Sequence, residues 1–158
     1  MNGKVRSTDR VRQAAEAAGL AISIREMPQS TRTAEEAAAA CGTSVGQIVK
    51  SLIFRGAESG EPVLLLVSGA NRVDTGAVAR TIGEALARMD ADAVRSATGF
   101  AIGGVAPLGA VAPIRTYMDE DLLAFATVWA AAGSPQAVFE AEPRALASAA
   151  GADIIRVR

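Results

Sequence analysis

The chain has 158 residues, of which 50% are hydrophobic, and its formal net charge is -1. This length supports one domain with a hydrophobic core, and the charge excludes a global basic field that would coat DNA or RNA. Because there is no histidine and a single cysteine, Cys41, a Ser-His-Asp triad, a His-ligated or thiolate zinc site and an internal disulfide are all excluded. Catalysis would have to use other side chains, backbone amides or groups of the substrate.

The hydropathy pattern sets the expected location and partners. No apolar run reaches the ~20 residues that a membrane helix needs, and residues 1–12 carry no signal-peptide stretch. With the single cysteine, which makes a reducing cytoplasm the default, and the net charge of -1, we expect a cytoplasmic protein that binds neither a membrane nor DNA. Since no linker or internal repeat stands out, residues 1–158 are expected to form one domain.

The first half of the chain alternates helix and strand signals. Asp9 is expected to cap a first helix that ends at Gly19, and the alternation in residues 20–25 predicts a strand. Thr33 with Glu36 forms a capping box before an Ala-rich helix. The further elements predicted here are a short helix after the Ser44–Gln47 box, strands at 52–55 and 63–68, a helix from Asp74 or Thr75 to Ile82, and helical pieces at 84–89 and 92–97.

The second half contains mainly strands. Asp119 caps a short helical turn, and Pro143 suits the first position of a helix that runs to Ala150. Strands are predicted at residues 112–118, 124–131, 136–141 and 153–158. Because helices and strands do not alternate strictly, the pattern favours a mixed, partly antiparallel sheet with flanking helices over a doubly wound fold.

Lys50 is the first candidate for chemistry. The sequence has fourteen arginines and only two lysines, Lys4 and Lys50, so a lysine inside an apolar run is unusual. A compact ammonium there could anchor a phosphate or carboxylate at the edge of a pocket. The alternative interpretation is a lysine whose stem is packed and whose head reaches water.

A glycine-rich segment, TGFAIGGVAPLG at residues 98–109, is the second candidate. Clustered glycines let the backbone approach a ligand closely, and their amides can bind an anion or a carbonyl oxygen. A tight connection between strands is the alternative. The spacing matches neither a Walker A loop nor a dinucleotide-binding fingerprint.

Other polar and aromatic residues receive structural interpretations. Cys41 is expected in the core, and the acidic run that begins at Asp119 is expected to be a helix cap with a solvated first turn. Trp129 and Tyr117 are expected in the core or a pocket wall. Arg6, Arg10 and Arg12 could bind phosphate, but the favoured interpretation is that they are scattered surface residues.

The two candidate motifs occur together, in order, in a known family. The segment VGQIVKSLIF at residues 45–54, followed by residues 98–109, resembles the YbaK/ProX family, relatives of the editing domain of bacterial prolyl-tRNA synthetases. The resemblance extends from about Val11 to Val157. It implies a single compact mixed α/β domain with a largely antiparallel, barrel-like sheet flanked by helices. It also implies a hydrolase that cleaves the ester between an amino acid and the 3′ end of tRNA.

The same resemblance implies the site. Lys50 matches the family lysine that engages the phosphate of the terminal adenosine, and Gly103 and Pro107 match the ends of a Gly-x-x-x-Pro loop whose amides, including that of Gly104, hold the substrate carbonyl. No metal or cofactor is expected. Further substrate contacts are expected from five residues: Thr31, Thr98, Val105, Ala106 and Ser134.

The substrate stays open at this point. Family members that act on Cys-tRNA carry Gly-Lys-Arg-Gly-Leu-Asp near the end, whereas residues 133–138 here read GSPQAV. We expect the wrongly attached amino acid to be a small one, such as Ala, Ser or Thr, on tRNA-Pro. Prolyl-tRNA synthetase is a candidate partner. The alternatives are a non-catalytic module that binds aminoacyl-tRNA or a synthetase, and a hydrolase of free amino-acid esters.

Overall fold

The structure is a computed structural model, and it describes residues 6–158. Residues 1–5, and with them Lys4 and the start of the expected domain, lie outside the described part. Five α helices lie in the described range: α1 (Ser7–Ala17), α2 (Ala34–Cys41), α3 (Thr75–Ile82), α4 (Ala91–Thr98) and α5 (Pro143–Ala150). Eight strands lie there too: β1 (Arg25–Glu26), β2 (Ile48–Gly56), β3 (Pro62–Ser68), β4 (Leu86–Arg88), β5 (Arg115–Asp119), β6 (Val128–Ala131), β7 (Ala137–Ala141) and β8 (Asp153–Ile155).

Local capping sets most helix ends, as predicted. The Thr33 hydroxyl accepts from the Glu36 N–H at 3.1 Å while the Glu36 carboxylate accepts from the Thr33 N–H at 3.3 Å. Gly42 ends α2 in the left-handed conformation, where an amino acid with a Cβ would be strained. The prediction for α1 was wrong at its start, because the helix begins at Ser7 and Asp9 lies inside its first turn.

The eight strands form one mixed sheet, which confirms the predicted fold class. Their order is β1-β7-β6-β2-β3-β5-β8, and β4 pairs with β2 beside this path. Four pairings are antiparallel, namely β1–β7, β6–β7, β2–β3 and β2–β4, and the other three are parallel. The sheet stays open over residues 6–158, since its end strands β1 and β8 pair only with β7 and β5.

Two elements differ from the sequence prediction. In residues 20–25 only Arg25 joins a strand, because the leucine and isoleucines of this segment pack on the core without a partner strand. Residues 84–89 were predicted helical, but β4 lies there and pairs with the end of β2. Gly83 ends α3 in the left-handed conformation, and the Glu84 carboxylate accepts from the N–H groups of Glu58 and Ser59, which ties this segment to the β2–β3 turn.

The central strand β3 is buried on both faces. Leu64 and Leu66 pack in the main core cluster with Phe100 and Phe139, whereas the alternate residues of β3 pack on the other face with Val78 of α3. Such a continuous apolar strand is typical of a sheet covered on both sides. None of the helices in the described range is long and apolar enough to cross a membrane.

Candidate active site

A cavity of about 440 Å³ opens where β2 lacks a neighbouring strand. On this edge of β2, β6 pairs with Ile48 and Val49, and β4 pairs from Phe54 onward. The stretch between them, residues 50–53, has no partner strand on that side and lines the cavity. The gap between β4 and β6 therefore creates the opening.

Ser51 presents unpaired polar groups to this opening. Gly69 donates to the carbonyl of Ile48 at 2.7 Å and Gly56 donates to the carbonyl of Glu61 at 2.9 Å, so the even-numbered residues of β2 bond to β3. In an antiparallel pair the odd-numbered residues then point their N–H and C=O groups the other way. Ser51 thus directs its backbone groups towards the gap. Its buried Oγ also has no hydrogen-bond partner in the described part of the chain.

Lys50 is held at one side of the cavity by a loop that follows β3. Its ammonium donates to the backbone carbonyl of Asn71 at 2.5 Å. Partial burial lowers the pKa of Lys50 below its usual range, although the carboxylates of Glu35 and Asp119 oppose this effect. The geometry therefore places a positioned cation, with donors to spare, beside the opening.

The side chain of Asn71 fixes that carbonyl. Its Nδ2 donates to Oδ2 of Asp119 and to Oδ2 of Asp121, both at 2.8 Å. Asp119 also accepts from the N–H groups of Ser68 at 3.0 Å and Asp121 at 2.9 Å. Asp119 caps its helical turn as predicted and is itself buried, at 1% exposed, whereas Glu120 in the first turn is exposed, as expected.

The glycine-rich segment forms a tight turn that lines the same cavity as Lys50. Gly104 donates to the carbonyl of Ala101 at 3.0 Å, and Gly103 has a φ of 89°. A positive φ at the third residue is the signature of a type II turn and favours glycine there. Within residues 6–158, the N–H groups of Gly103 and Val105 donate no hydrogen bond. These amides are available to an oxygen of a ligand.

Gly104 lies directly against the loop that joins β6 to β7. A Cβ at this position would come within 2.8 Å of the Cα and C atoms of Ser134. The neighbouring Pro135 carbonyl accepts from the N–H of Thr31 at 2.9 Å and from its hydroxyl at 2.7 Å. Three segments of the chain are thereby joined behind the turn, which holds it rigidly.

The rest of the cavity wall is largely apolar, with two exposed arginines. Trp129 lines it, in agreement with the prediction that it is core or pocket wall. Arg32 and Arg88 are exposed and also line it, although no sequence motif indicated a role for either. Apolar lining comes from Phe54, Met89, Ile102 and Val138, among others.

The nine predicted site residues separate into two groups. Four of them line the cavity: Lys50, Gly103, Val105 and Thr31. The other five do not line it: Gly104 and Ser134 form the contact behind the turn, and Thr98, Ala106 and Pro107 line a neighbouring cavity of about 370 Å³. The roles of all nine stay predictions. The Thr98 hydroxyl is occupied, because it donates to the Val94 carbonyl at 2.7 Å and accepts from the Phe100 N–H at 3.0 Å.

The donor set suits an anionic or carbonyl-bearing ligand. In the described part of the chain, no group of three or more Cys, Asp and Glu side chains could hold a metal ion. Burial raises the pKa of the Cys41 thiol, which keeps it protonated and a poor nucleophile. The site therefore offers a cation, backbone amides and one hydroxyl, an arrangement for orienting and polarising an ester.

Comparison with known proteins decides the family. The profile of the aminoacyl-tRNA editing domain family matches residues 28–149 of this chain, which include Lys50 and the whole Gly103–Pro107 loop. The chain belongs to this family. The resemblance seen in the sequence is thereby confirmed.

Three relatives place the chain within the aminoacyl-tRNA editing family. YwhH of Bacillus subtilis, whose function is uncharacterised, is 34% identical over 123 residues, or 78% of each chain. EbsC of Enterococcus faecalis, a proposed Cys-tRNA(Pro)/Cys-tRNA(Cys) deacylase, is 27% identical over 117 residues, or 73% of this chain and 71% of EbsC. A crystal structure of a proposed trans-editing enzyme for prolyl-tRNA synthetase is 47% identical, covers 99% of both chains and superposes with a TM-score of 0.90.

Proposed function

We propose that this protein is a trans-acting deacylase that hydrolyses the ester of a mischarged tRNA, with tRNA-Pro carrying a small wrong amino acid as the substrate. The proposal rests on one observation: Lys50, which belongs to the first motif, and the Gly103 turn, which belongs to the second, line the same cavity. The match to the editing family and to the proposed trans-editing enzyme supports it. Prolyl-tRNA synthetase is the corresponding candidate partner.

The residues of the cavity suit the steps of ester hydrolysis. Lys50 would bind the phosphate of the terminal adenosine, and the amides of the Gly103 turn would stabilise the oxyanion that forms when water attacks the carbonyl carbon. The bond between that carbon and the ribose oxygen then breaks, and the ribose oxygen takes up the proton that the attacking water loses. Because the chain has no histidine, the ribose hydroxyl next to the ester is our candidate for positioning the water.

The cavity also limits the alternatives. A volume of about 440 Å³ exceeds that of a small amino acid, so it has space for part of the adenosine as well. This favours a tRNA ester over a free amino-acid ester. The second candidate is a non-catalytic module that binds aminoacyl-tRNA, which would use Lys50 for affinity alone.

The test is deacylation of tRNA-Pro charged in turn with Ala, Ser, Thr, Cys and Pro. We expect rapid release from one mischarged species and a loss of roughly 10- to 100-fold in kcat/KM in Lys50→Ala, because one charge-assisted contact to the phosphate, worth about 1.5–3 kcal/mol, is removed. Arg55→Ala is the matched control, since Arg55 is an exposed cation of the same strand that does not line the cavity. Unchanged hydrolysis in Lys50→Ala would overturn the assignment of Lys50, and binding without any release would favour the second candidate.

A further inference from the structure

A groove of about 790 Å³ beside the active-site cavity collects three arginines. Arg6 and Arg10 come from the start of α1, and Arg95 comes from the last turn of α4. The one acidic residue in the lining is Glu26. Both arginines lie at the surface, and the fold brings them to one groove rather than leaving them scattered.

The three arginines differ in how they are held. Arg10 donates to the Gly99 carbonyl at 2.7 Å and lies 5.1 Å over the ring of Phe100, which fixes its guanidinium against the glycine-rich segment. Arg95 is exposed, and no carboxylate within the described residues lies within salt-bridge distance of it. Arg6 lies 3.7 Å from Glu26, but both side chains are more than two-thirds exposed, so this pair contributes little.

The groove and the active-site cavity share one wall. Ala101 lines the groove and Gly103 lines the cavity, and two residues of chain span at most ~7 Å. Ser134, which lies against Gly104, lines the groove as well. A ligand whose end lies in the cavity can therefore extend past this shared wall into the groove and contact the arginines.

We propose that this groove binds the phosphate backbone of the RNA strand that leads to the nucleotide in the cavity. The proposal rests on the proposed function for the ligand of the cavity. Three arginines against one glutamate form a local positive site in a chain whose net charge is -1. Guanidinium groups match phosphate oxygens in a bidentate way, and each phosphate that they neutralise releases counterions.

The first experiment measures binding of uncharged tRNA-Pro against salt concentration. The double variant Arg6→Gln/Arg95→Gln is compared with Arg80→Gln/Arg144→Gln, which removes the same charge from exposed positions of α3 and α5 outside the groove. We expect the groove variant to bind at least ~10-fold more weakly, and the slope of log K against log salt to fall by ~1.4 for two lost contacts to a single strand. Equal affinities in the two double variants would overturn the proposal and leave an acidic protein as the next partner to test.

The second experiment separates this groove from the active site. With the deacylation substrate the groove variant should raise KM several-fold at unchanged kcat, whereas with an aminoacyl-adenosine, which lacks the upstream phosphates, it should match the unmodified protein. Equal losses on both substrates would overturn the proposal, because the groove would then act through the fold. If no ester is hydrolysed by any variant, the proposed function fails, while the tRNA-binding experiment still decides the groove.

Discussion

The ammonium of Lys50 and the carbonyl of Asn71 are joined by a hydrogen bond of 2.5 Å, and Asn71 is itself fixed by two carboxylates. The position of the proposed catalytic lysine therefore depends on a residue that does not line the cavity. The Arg158 guanidinium donates to the Asp121 carboxylate at 2.6 Å, at the exposed end of the same network.

Asn71→Ala should lower deacylation activity, because the carbonyl that positions Lys50 is no longer fixed. Removing the side-chain amide leaves the buried Asp119 without one of its donors, which costs about 1–3 kcal/mol of unfolding free energy. We expect deacylation to fall roughly 10-fold, or ~1.4 kcal/mol, with most of the loss in KM, because the phosphate is held in both ground and transition states. In a Lys50→Ala background the same change should add little, and additive losses in this double-mutant cycle would contradict the coupling.

Gly104→Ala should disrupt the turn. The added Cβ would come within 2.8 Å of backbone atoms of Ser134, so the turn or the β6–β7 loop must move, and the amides lose their alignment. We expect deacylation to fall at least ~100-fold, as for loss of an oxyanion donor. Gly76→Ala is the control: in α3 its Cβ meets nothing closer than 3.5 Å, so it should keep activity and raise stability by about 0.5–1 kcal/mol. Full activity of Gly104→Ala would show that the turn does not act on the ester.

Ser51→Ala should leave the stability of the protein unchanged or raise it. The Ser51 Oγ is buried without a partner in the described part of the protein, so its removal eliminates an unsatisfied hydroxyl. Thermal unfolding should therefore show no loss of stability, or a gain of up to about 1 kcal/mol. A loss of stability above that amount would mean that the hydroxyl is satisfied in the folded protein.

Because of the Glu84–Arg115 pair, the free energy of unfolding should fall at acidic pH. Glu84 accepts from the Ser59 N–H and from Arg115 at 2.5 Å, and these donors lower the pKa of Glu84 to about 2. Since the folded pKa is below the ordinary value near 4.5, the stabilisation is complete above that value and is lost as pH falls towards 2.

Glu84→Gln should flatten this dependence. Urea unfolding between pH 5 and pH 2 should show a smaller loss of stability in Glu84→Gln than in the unmodified protein. Glu58→Gln is the control, because Glu58 is an exposed carboxylate of the same turn with no salt bridge within residues 6–158. An unchanged pH dependence in Glu84→Gln would contradict the shifted pKa.

The sequence predicted correctly those features that depend on residues close together in the chain. The Thr33–Glu36 box, the Pro143 helix start and the glycine ends of α2 and α3 involve neighbours in the chain, so the sequence alone contains their geometry. The motif around Lys50 and the glycine-rich segment were likewise recognisable, and the family match confirmed the resemblance that they suggested.

Contacts between distant segments were decided only by the tertiary structure. Residues 20–25 alternate like a strand, but a strand also needs a partner, and only Arg25 and Glu26 find one in β7. The gap in β2, the hydrogen bond from Lys50 to Asn71 and the meeting of Arg6, Arg10 and Arg95 all join elements that are far apart in the chain. The sequence by itself thus determined the capped helices, the apolar strands and the two motifs, because their hydrogen bonds and periodicity are local. The pairing of the sheet decided where the cavity opens and which cations surround it, because strand partners are chosen by packing between distant segments.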